Sequence, residues 1–327
     1  MNPAFLALLL GAVLTGLNPL LVRLADIDPA AIGFWRVLLM LPLFLLWPKP
    51  DRVEEQMPGR RDRALLLLAG AAYGADLVVW YWSIELTSIA NAQLFAFTYP
   101  LMVALVAAFF LGQPLSRRGW TAILLGVAGS ALVVAGREGG FAFEAGPRMI
   151  GDGLGFAAAA CYTVTLSIQG SLRGRIGTRR VLLESTLGAL VLLAPAALFA
   201  RGAILPPDAG EWLLMAALGL VTFASQLLIV YALGRLPVVL AAISGTLSVV
   251  VAAGGAWLLL AEQLGPIELA GIAVVLGAIL IAERKAAAKA PAAAPRAPAV
   301  ASRRIPPPTA QLAPALARDR RSASRQP

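Results

Sequence analysis

Apolar runs long enough to cross a lipid bilayer recur along the whole chain. A hydrocarbon core of ~30 Å needs about 20 helical residues at a rise of ~1.5 Å per residue. Ten such runs lie at residues 3–22, 29–48, 64–84, 91–112, 118–136, 151–170, 181–200, 211–233, 238–261 and 265–283. No lysine or arginine precedes the first run, so we expect a membrane span there rather than a secretory signal peptide. The pattern predicts an all-α polytopic membrane protein with ten transmembrane helices.

The composition supports this prediction and excludes several kinds of chemistry. Of the 327 residues, 59% are apolar and 14% are charged, against roughly 45–50% and about 25% in soluble domains. The chain has no histidine and one cysteine, Cys161, which excludes a disulfide framework, a Cys/His zinc site and a histidine-based catalytic triad. Phosphate-binding glycine motifs are also absent from the sequence. We therefore expect no catalytic residues, no metal and no cofactor.

Basic residues are distributed unevenly between the predicted loops. With the N-terminus in the cytoplasm, 22 of the 27 lysines and arginines lie in inner loops or after residue 283, and four lie in outer loops. Cytoplasmic loops carry such an excess, so we expect both termini in the cytoplasm. The net charge of +9 marks orientation and does not predict a nucleic-acid partner.

Residues 284–327 differ from the rest because alanine, proline and arginine dominate them. Such a segment buries too little apolar surface to offset the entropy of ordering, and we expect a disordered basic tail. It is either an unconstrained tail or a polybasic contact with anionic lipid.

The two halves of the chain are related by an internal repeat. A gapless offset of 149 residues places Trp82 on Tyr231, Ala92 on Ala241 and Gln113 on Glu262. With five spans in each half, the two repeats insert in opposite orientations. Inverted repeats let a central cavity open first to one side of the membrane and then to the other, which is the alternating-access mechanism of secondary transporters.

Several segments resemble the EamA-type permeases of the drug/metabolite transporter superfamily. They are DLVVWYWSIELTSIANA from Asp76, YPLMVALVAAFFLGQPLS from Tyr99, QLLIVYALGRLPVVLAA from Gln226 and WLLLAEQLGPIELAGIAVVLGAILIAER from Trp257. The resemblance implies a first repeat at 1–136, a periplasmic linker at 137–150 and a second repeat at 151–283. It also implies an inner-membrane carrier for a small metabolite, amino acid or organic solute, more often an exporter than an importer.

Two positions depart from the family pattern. Gln113 stands where the family usually has glutamate, and Val249 stands where it usually has a proline. The second departure predicts a straighter ninth helix.

The alternative functions left open are a non-coupled facilitator or channel, a lipid-binding scaffold and an intramembrane enzyme. The oligomeric state, monomer or homodimer, also stays open.

Arg36, Asp76 and Glu184 are ionisable residues within predicted spans, where a charge near the bilayer centre costs about 2.5–3.5 kcal/mol. Arg36 and Asp76 are roughly 10 and 12 Å from the outer surface at ~1.5 Å per residue. We hypothesise that they face one cavity and contact the carboxylate and the ammonium group of a zwitterionic solute. The alternatives are a fixed ion pair and an Arg36 side chain that reaches outward. Glu184 lies four residues after Arg180, the spacing of an interfacial salt bridge. Asp76 and Glu184 are the candidates for proton coupling.

Uncharged polar residues within the spans are further candidates for solute binding. Tyr99 lies just before Pro100, where freed backbone carbonyls favour a place on the transport pathway. Asn18, Gln93 and Gln226 either bind the solute or join helices by hydrogen bonds. Pairs of small residues four apart predict close helix packing, and they are Gly70/Gly74, Gly126/Ser130 and Gly151/Gly155.

Overall fold

The computed structural model describes residues 2–22, 24–44, 46, 58–87, 89–113, 115–138, 147–200, 202–260 and 264–288. Within these ranges every regular element is a helix. The α-helices are α1 (Pro3–Val22), α2 (Pro29–Leu38), α3 (Arg60–Leu86), α4 (Ile89–Ala96), α5 (Tyr99–Phe109), α6 (Arg117–Glu138), α7 (Pro147–Leu172), α8 (Thr178–Leu198), α9 (Ala209–Leu233), α10 (Val238–Gly245), α11 (Leu247–Leu260) and α12 (Pro266–Ala288). A short 3-10 helix, Leu41–Phe44, follows α2.

Ten membrane spans account for these helices. Eight are long and apolar enough to cross a bilayer by themselves, and the shorter apolar segments Pro29–Phe44 and Pro266–Ala282 complete the set. The fourth span consists of α4 and α5, and the ninth consists of α10 and α11. The predicted fold, an all-α membrane protein with two inverted five-helix repeats, is confirmed.

The helix termini meet at two ends of the bundle. At what we call the basic end, Arg63 at the start of α3 contacts Glu184 at the start of α8, and Arg173 after α7 donates to the carbonyl of Val230 on α9. At the opposite end, the α1–α2 and α8–α9 connections are joined, because the backbone N–H of Asp28 donates to the carbonyl of Ala203 at 3.1 Å. Neighbouring helices therefore run in alternating directions between these two ends.

The helix contacts occur in pairs related by a shift of five spans. The contact of α3 with α7 corresponds to the contact of α9 with α1. In the same way, the contact of α4 with α7 corresponds to that of α11 with α1. The interruptions of the fourth and ninth spans also correspond, since Phe97 plus the offset of 149 gives Thr246. The weak sequence repeat thus coincides with an architectural one.

Each interruption contains a threonine that turns its hydroxyl onto the backbone. Thr98 Oγ1 donates to the carbonyl of Phe95 at 2.6 Å, and Thr246 Oγ1 donates to the carbonyl of Ile243 at 2.7 Å. Such local bonds compete with the regular helical ladder. The ninth span is therefore interrupted even though Val249 replaces the proline of the family, a break that the sequence analysis did not predict.

Close helix packing depends on glycines in the predicted small-residue pairs and on others. A Cβ at Gly70 would overlap the carbonyl oxygen of Ser185, and a Cβ at Gly188 would overlap that of Leu67. These two glycines bring the backbones of α3 and α8 into direct contact ten residues after the start of each helix. Gly129 on α6 and Gly271 on α12 form a second reciprocal pair, because a Cβ added at Gly129 or at Gly271 would lie 3.0 or 2.8 Å from the other's carbonyl oxygen.

Some of the predicted segments fall outside the described residues. These include most of the linker, residues 139–146, most of the basic tail, residues 289–327, and Glu262 of the repeat alignment.

Candidate functional site

A cavity of about 420 Å³ lies between helices of both repeats. Its walls come from α1 to α7 and from α9 to α11. Toward the opposite end, the lining reaches Val22 at the end of α1 and Ile84 near the end of α3. Toward the basic end, it stops at Leu8 and Ile229, about one turn short of the helix termini. The cavity therefore extends to the opposite end and is closed at the basic end.

Six predicted site residues line this one cavity although they come from five different spans. They are Asn18, Arg36, Asp76, Gln93, Tyr99 and Gln226. The seventh, Glu184, does not line it. Glu184 instead accepts from Arg63 at 3.1 Å and lies 3.8 Å from Arg180 at the basic end.

The two charged residues of the cavity lie at nearly the same depth. Gly33 on α2 faces the ring of Tyr81 on α3, with 3.7 Å between an added Cβ and the ring. Arg36 is three residues beyond Gly33 toward the basic end, and Asp76 is five residues from Tyr81 in the same direction. At ~1.5 Å per residue their levels differ by about 3 Å. Two opposite charges thus share one level of the cavity.

No ion pair joins Arg36 to Asp76 among the ion pairs of the described residues. Arg36 is 7% exposed, and its Nε is buried without a hydrogen-bond partner. A guanidinium has five N–H donors and no acceptor, and leaving one buried donor unsatisfied costs about 1–3 kcal/mol or more for a charged group.

The wall formed by α1 and α9 is polar but uncharged, and its groups largely satisfy one another. The hydroxyls of Thr15 and Ser225 are 2.6 Å apart, and Thr222 donates to the side-chain carbonyl of Asn18 at 3.0 Å. Ser225 also bonds to the carbonyl of Gly11 at 3.0 Å. Asn18 therefore joins two helices, which is one of the two roles predicted for it.

Aromatic side chains lie between the charged level and the closed end. The rings of Tyr99 and Tyr162 meet edge to face with their centroids 4.9 Å apart. The Tyr99 hydroxyl donates at 3.2 Å to the carbonyl of Ala242 on α10, a group that the interruption at Thr246 leaves without its usual helical donor. A Cβ at Gly245 would overlap the Tyr99 hydroxyl, so glycine is needed there. Tyr99 thereby links the two interrupted spans.

A buried apolar cluster and an ionic contact lie side by side at the basic end. The cluster consists of Met40, Phe44, Leu66, Leu172, Ile176, Val181, Leu182 and Val230. Close to Val181 and Leu182 on α8, the Glu184 side chain is 5% exposed and contacts Arg63 and Arg180, whose side chains are 59% and 25% exposed. These contacts join α3 to α8 at the basic end.

The structure also shows lining residues that the sequence analysis missed. Tyr73 and Ile84 lie on the cavity face of α3 together with Asp76 and Trp80. Their spacing of three or four residues places them on one face of a helix, and this signal was available from the sequence. The hydroxyls of Thr222 and Ser225 gave no such signal, because serine and threonine are common throughout membrane helices.

Within the described part of the chain, no group of three or more Asp, Glu or Cys side chains is arranged to hold a metal ion. The lining offers opposite charges, amides and aromatic rings around an accessible space. Such a cavity binds a solute rather than transforms it. Two inverted repeats around such a central cavity are the architecture of secondary transporters.

The comparison with known proteins agrees. A family model described as the EamA-like transporter family matches residues 2–135 and 149–283, one match in each repeat. The chain belongs to the EamA-like transporter family, and it is a transporter and not an enzyme.

Two curated relatives are exporters. The chain is 25% identical over 230 residues to the pseudopaline exporter CntI of Pseudomonas aeruginosa, which covers 69% of this chain and 77% of that exporter. It is 34% identical over 146 residues to the aromatic amino acid exporter YddG of Ancylobacter novellus, covering 43% of this chain and 48% of that exporter. A solved crystal structure shares the fold, with a TM-score of 0.71 and 21% identity over 87% of this chain and 98% of its own.

Proposed function

We propose that this protein exports a small zwitterionic solute across the inner membrane by alternating access. Arg36 binds the carboxylate of the solute and Asp76 binds its ammonium group. The observation that carries the proposal is that both charges lie at one level of the cavity without an ion pair, whereas the polar groups of the α1–α9 wall are bonded to one another. A planar guanidinium suits a carboxylate because two parallel hydrogen bonds fit its geometry.

The arrangement disfavours a fixed ion pair as the role of these two residues. A structural pair in the membrane interior would place the charged groups in contact, since each charge is costly there without a partner. Arg36 and Asp76 instead lie on the cavity wall without an ion pair. Two separated charges of opposite sign are complementary to a solute that carries both.

The closed basic end and the extended opposite end correspond to one of the two states that alternating access requires. With both termini in the cytoplasm, as the distribution of basic residues predicts, the cavity faces outward. The exporters among the relatives support outward transport of the solute. Asp76 is the candidate proton carrier, because it lines the cavity and Glu184 does not.

Binding to charge-matched solutes tests the assignment. A zwitterionic amino acid, the corresponding amine and the corresponding carboxylic acid are measured for thermal stabilisation of the purified full-length protein. Only folded protein binds, so a bound solute raises the melting temperature. We expect the zwitterion to stabilise most, and we expect Arg36→Gln to weaken its binding by about tenfold to a hundredfold, as the loss of a charged hydrogen bond implies.

Arg235→Gln is the matched control, since Arg235 lies outside the cavity and its guanidinium stacks on Tyr231. It should leave the response unchanged. Equal stabilisation by the three solutes, or unchanged binding in Arg36→Gln, would refute the assignment of the charged pair.

A further inference from the structure

The closed end of the cavity contains one polar side chain among apolar ones. We define the floor as the lining residues nearest the basic end on α1, α7 and α9, which are Leu8, Ala12, Leu166, Gln226 and Ile229. Four of these five are apolar. Gln226 is half-buried, and it makes no hydrogen bond with any described residue.

The free amide of Gln226 contrasts with its polar neighbours one turn away. Ser225 is bonded to Thr15 and to the Gly11 carbonyl, and Thr222 is bonded to Asn18. These side chains have found partners within the protein. An amide carries two donors and one acceptor, so Gln226 retains its full hydrogen-bonding capacity for a molecule in the cavity.

The distance between Gln226 and the charged level follows from a backbone contact. A Cβ placed on Gly219 of α9 would lie 3.2 Å from the carbonyl oxygen of Arg36, so these two residues share a level. Gln226 is seven residues further along α9 toward the basic end. Seven residues at ~1.5 Å make about 10 Å.

We infer that Gln226 recognises the far end of the solute, and that the solute class is a zwitterion with a hydrogen-bonding group at the tip of its side chain. The inference rests on the proposed function, because Arg36 and Asp76 hold the zwitterionic head. About 3 Å of the 10 Å is a hydrogen bond at the tip. The remaining 7 Å corresponds to an extended side chain of roughly five or six bonds, because bonds of ~1.5 Å at angles of ~111° advance the chain by about 1.2 Å each.

Selectivity depends on whether the tip of the solute can form a hydrogen bond with Gln226 at the floor. An apolar tip displaces water from the amide and offers no hydrogen bond in return, so binding is weaker. A polar tip replaces the water and keeps the amide satisfied. One neutral hydrogen bond corresponds to a preference of about three- to tenfold.

Two matched pairs of solutes test the inference. Tyrosine and phenylalanine differ by one hydroxyl, and citrulline and 2-aminooctanoate differ in the polarity of a side chain of similar length. Equilibrium binding of the four labelled compounds is measured on the purified full-length protein. We expect tyrosine and citrulline to bind about three- to tenfold more tightly than their partners. Gln226→Leu should remove this preference by weakening only the polar-tipped members, and Gln226→Met gives the same readout if leucine is not tolerated.

Arg235→Gln is the control, because Arg235 lies outside the cavity and its guanidinium stacks on Tyr231. It should leave the preference within each pair unchanged. Equal affinities within the pairs, or a preference that survives in Gln226→Leu, overturns the role of Gln226. Absence of binding by all four compounds overturns the inferred length and tip. Arg36→Gln separates the two proposals: if it weakens all four compounds alike, the proposed function stands whatever the result at Gln226.

Discussion

The guanidinium of Arg63 donates to the carboxylate of Glu184 at 3.1 Å and joins α3 to α8 at the basic end. The two residues are 121 positions apart in the sequence. They lie beside the buried apolar cluster of the basic end, and Gly70 and Gly188 bring the same two helices together further along. We predict that the contact between Arg63 and Glu184 separates when the basic end opens.

Neutralising Glu184 is expected to favour the state that is open at the basic end. Glu184→Gln keeps the shape of the side chain and removes its charge. Because Arg63 is 59% exposed, the closed state loses about 1–2 kcal/mol of stabilisation, well below the loss from breaking a fully buried ion pair. Leu66→Cys in a Cys161→Ser background reports the change, since Leu66 is fully buried in the closed cluster. Labelling from the basic side should rise several-fold.

Asp62→Asn provides the comparison for this experiment. Asp62 forms a more exposed ion pair with Arg175 at 3.2 Å, and such pairs contribute about 0–1 kcal/mol. It should change the labelling little. Equal labelling in Glu184→Gln and the parent would show that the contact does not hold this end closed.

Removing the hydroxyl of Tyr99 should destabilise the protein without changing the packing of its ring. Tyr99→Phe loses the bond to Ala242 and leaves that carbonyl unsatisfied, at a cost of about 1 kcal/mol. Tyr162→Phe retains the same aromatic contact and removes a hydroxyl for which the structure shows no hydrogen bond to a described residue. Melting temperatures in detergent should fall in the first variant and stay nearly constant in the second.

The approach of α3 to α8 should not tolerate a methyl group at Gly70. The added Cβ of Gly70→Ala overlaps the backbone of Ser185, which neither helix can relieve without separating. We expect a loss of about 1–3 kcal/mol, seen as a lower melting temperature. Gly153→Ala on α7 has open space around its added Cβ and should be neutral or slightly stabilising because alanine favours helix. Similar melting temperatures for both variants would contradict the packing described for α3 and α8.

Proton coupling should depend on Asp76 and not on Glu184. In proteoliposomes with an imposed pH gradient, Asp76→Asn should no longer respond to the gradient, because an amide cannot carry the proton. Glu184→Gln should still respond, since Glu184 lies outside the cavity among arginines. A gradient response that persists in Asp76→Asn would assign coupling elsewhere or exclude it.

The fold was predictable because span length and the inverted repeat leave few alternatives in a bilayer. The interruptions within individual spans were harder to predict from the sequence. The interruption before Pro100 followed from the proline, whereas the interruption at Thr246 comes from a threonine hydroxyl that competes for a backbone carbonyl. Threonine occurs at many positions in membrane helices, so its presence alone does not predict a break.

The sequence predicted several residues that line the cavity, but it did not predict which contacts they make. Arg36 and Asp76 stand out in a sequence because charges are rare within spans. Sequence spacing predicted a contact between Glu184 and Arg180 four residues away. It did not predict the nearer one with Arg63, which depends on how α3 and α8 pack. Asn18 and Gln226 are both side-chain amides within spans, and the sequence did not distinguish them. In the structure Asn18 is bonded to Thr222, whereas Gln226 has no hydrogen bond to a described residue.

Counterflow in proteoliposomes is the most direct test of solute exchange through a cavity that contains Arg36 and Asp76. Vesicles are loaded with an unlabelled zwitterionic amino acid that stabilises the purified protein, and uptake of the labelled compound is followed. We predict that internal solute accelerates uptake by the wild-type protein and that Arg36→Gln and Asp76→Asn abolish the acceleration. Uptake that is independent of internal solute, or acceleration that persists in both variants, would contradict the account.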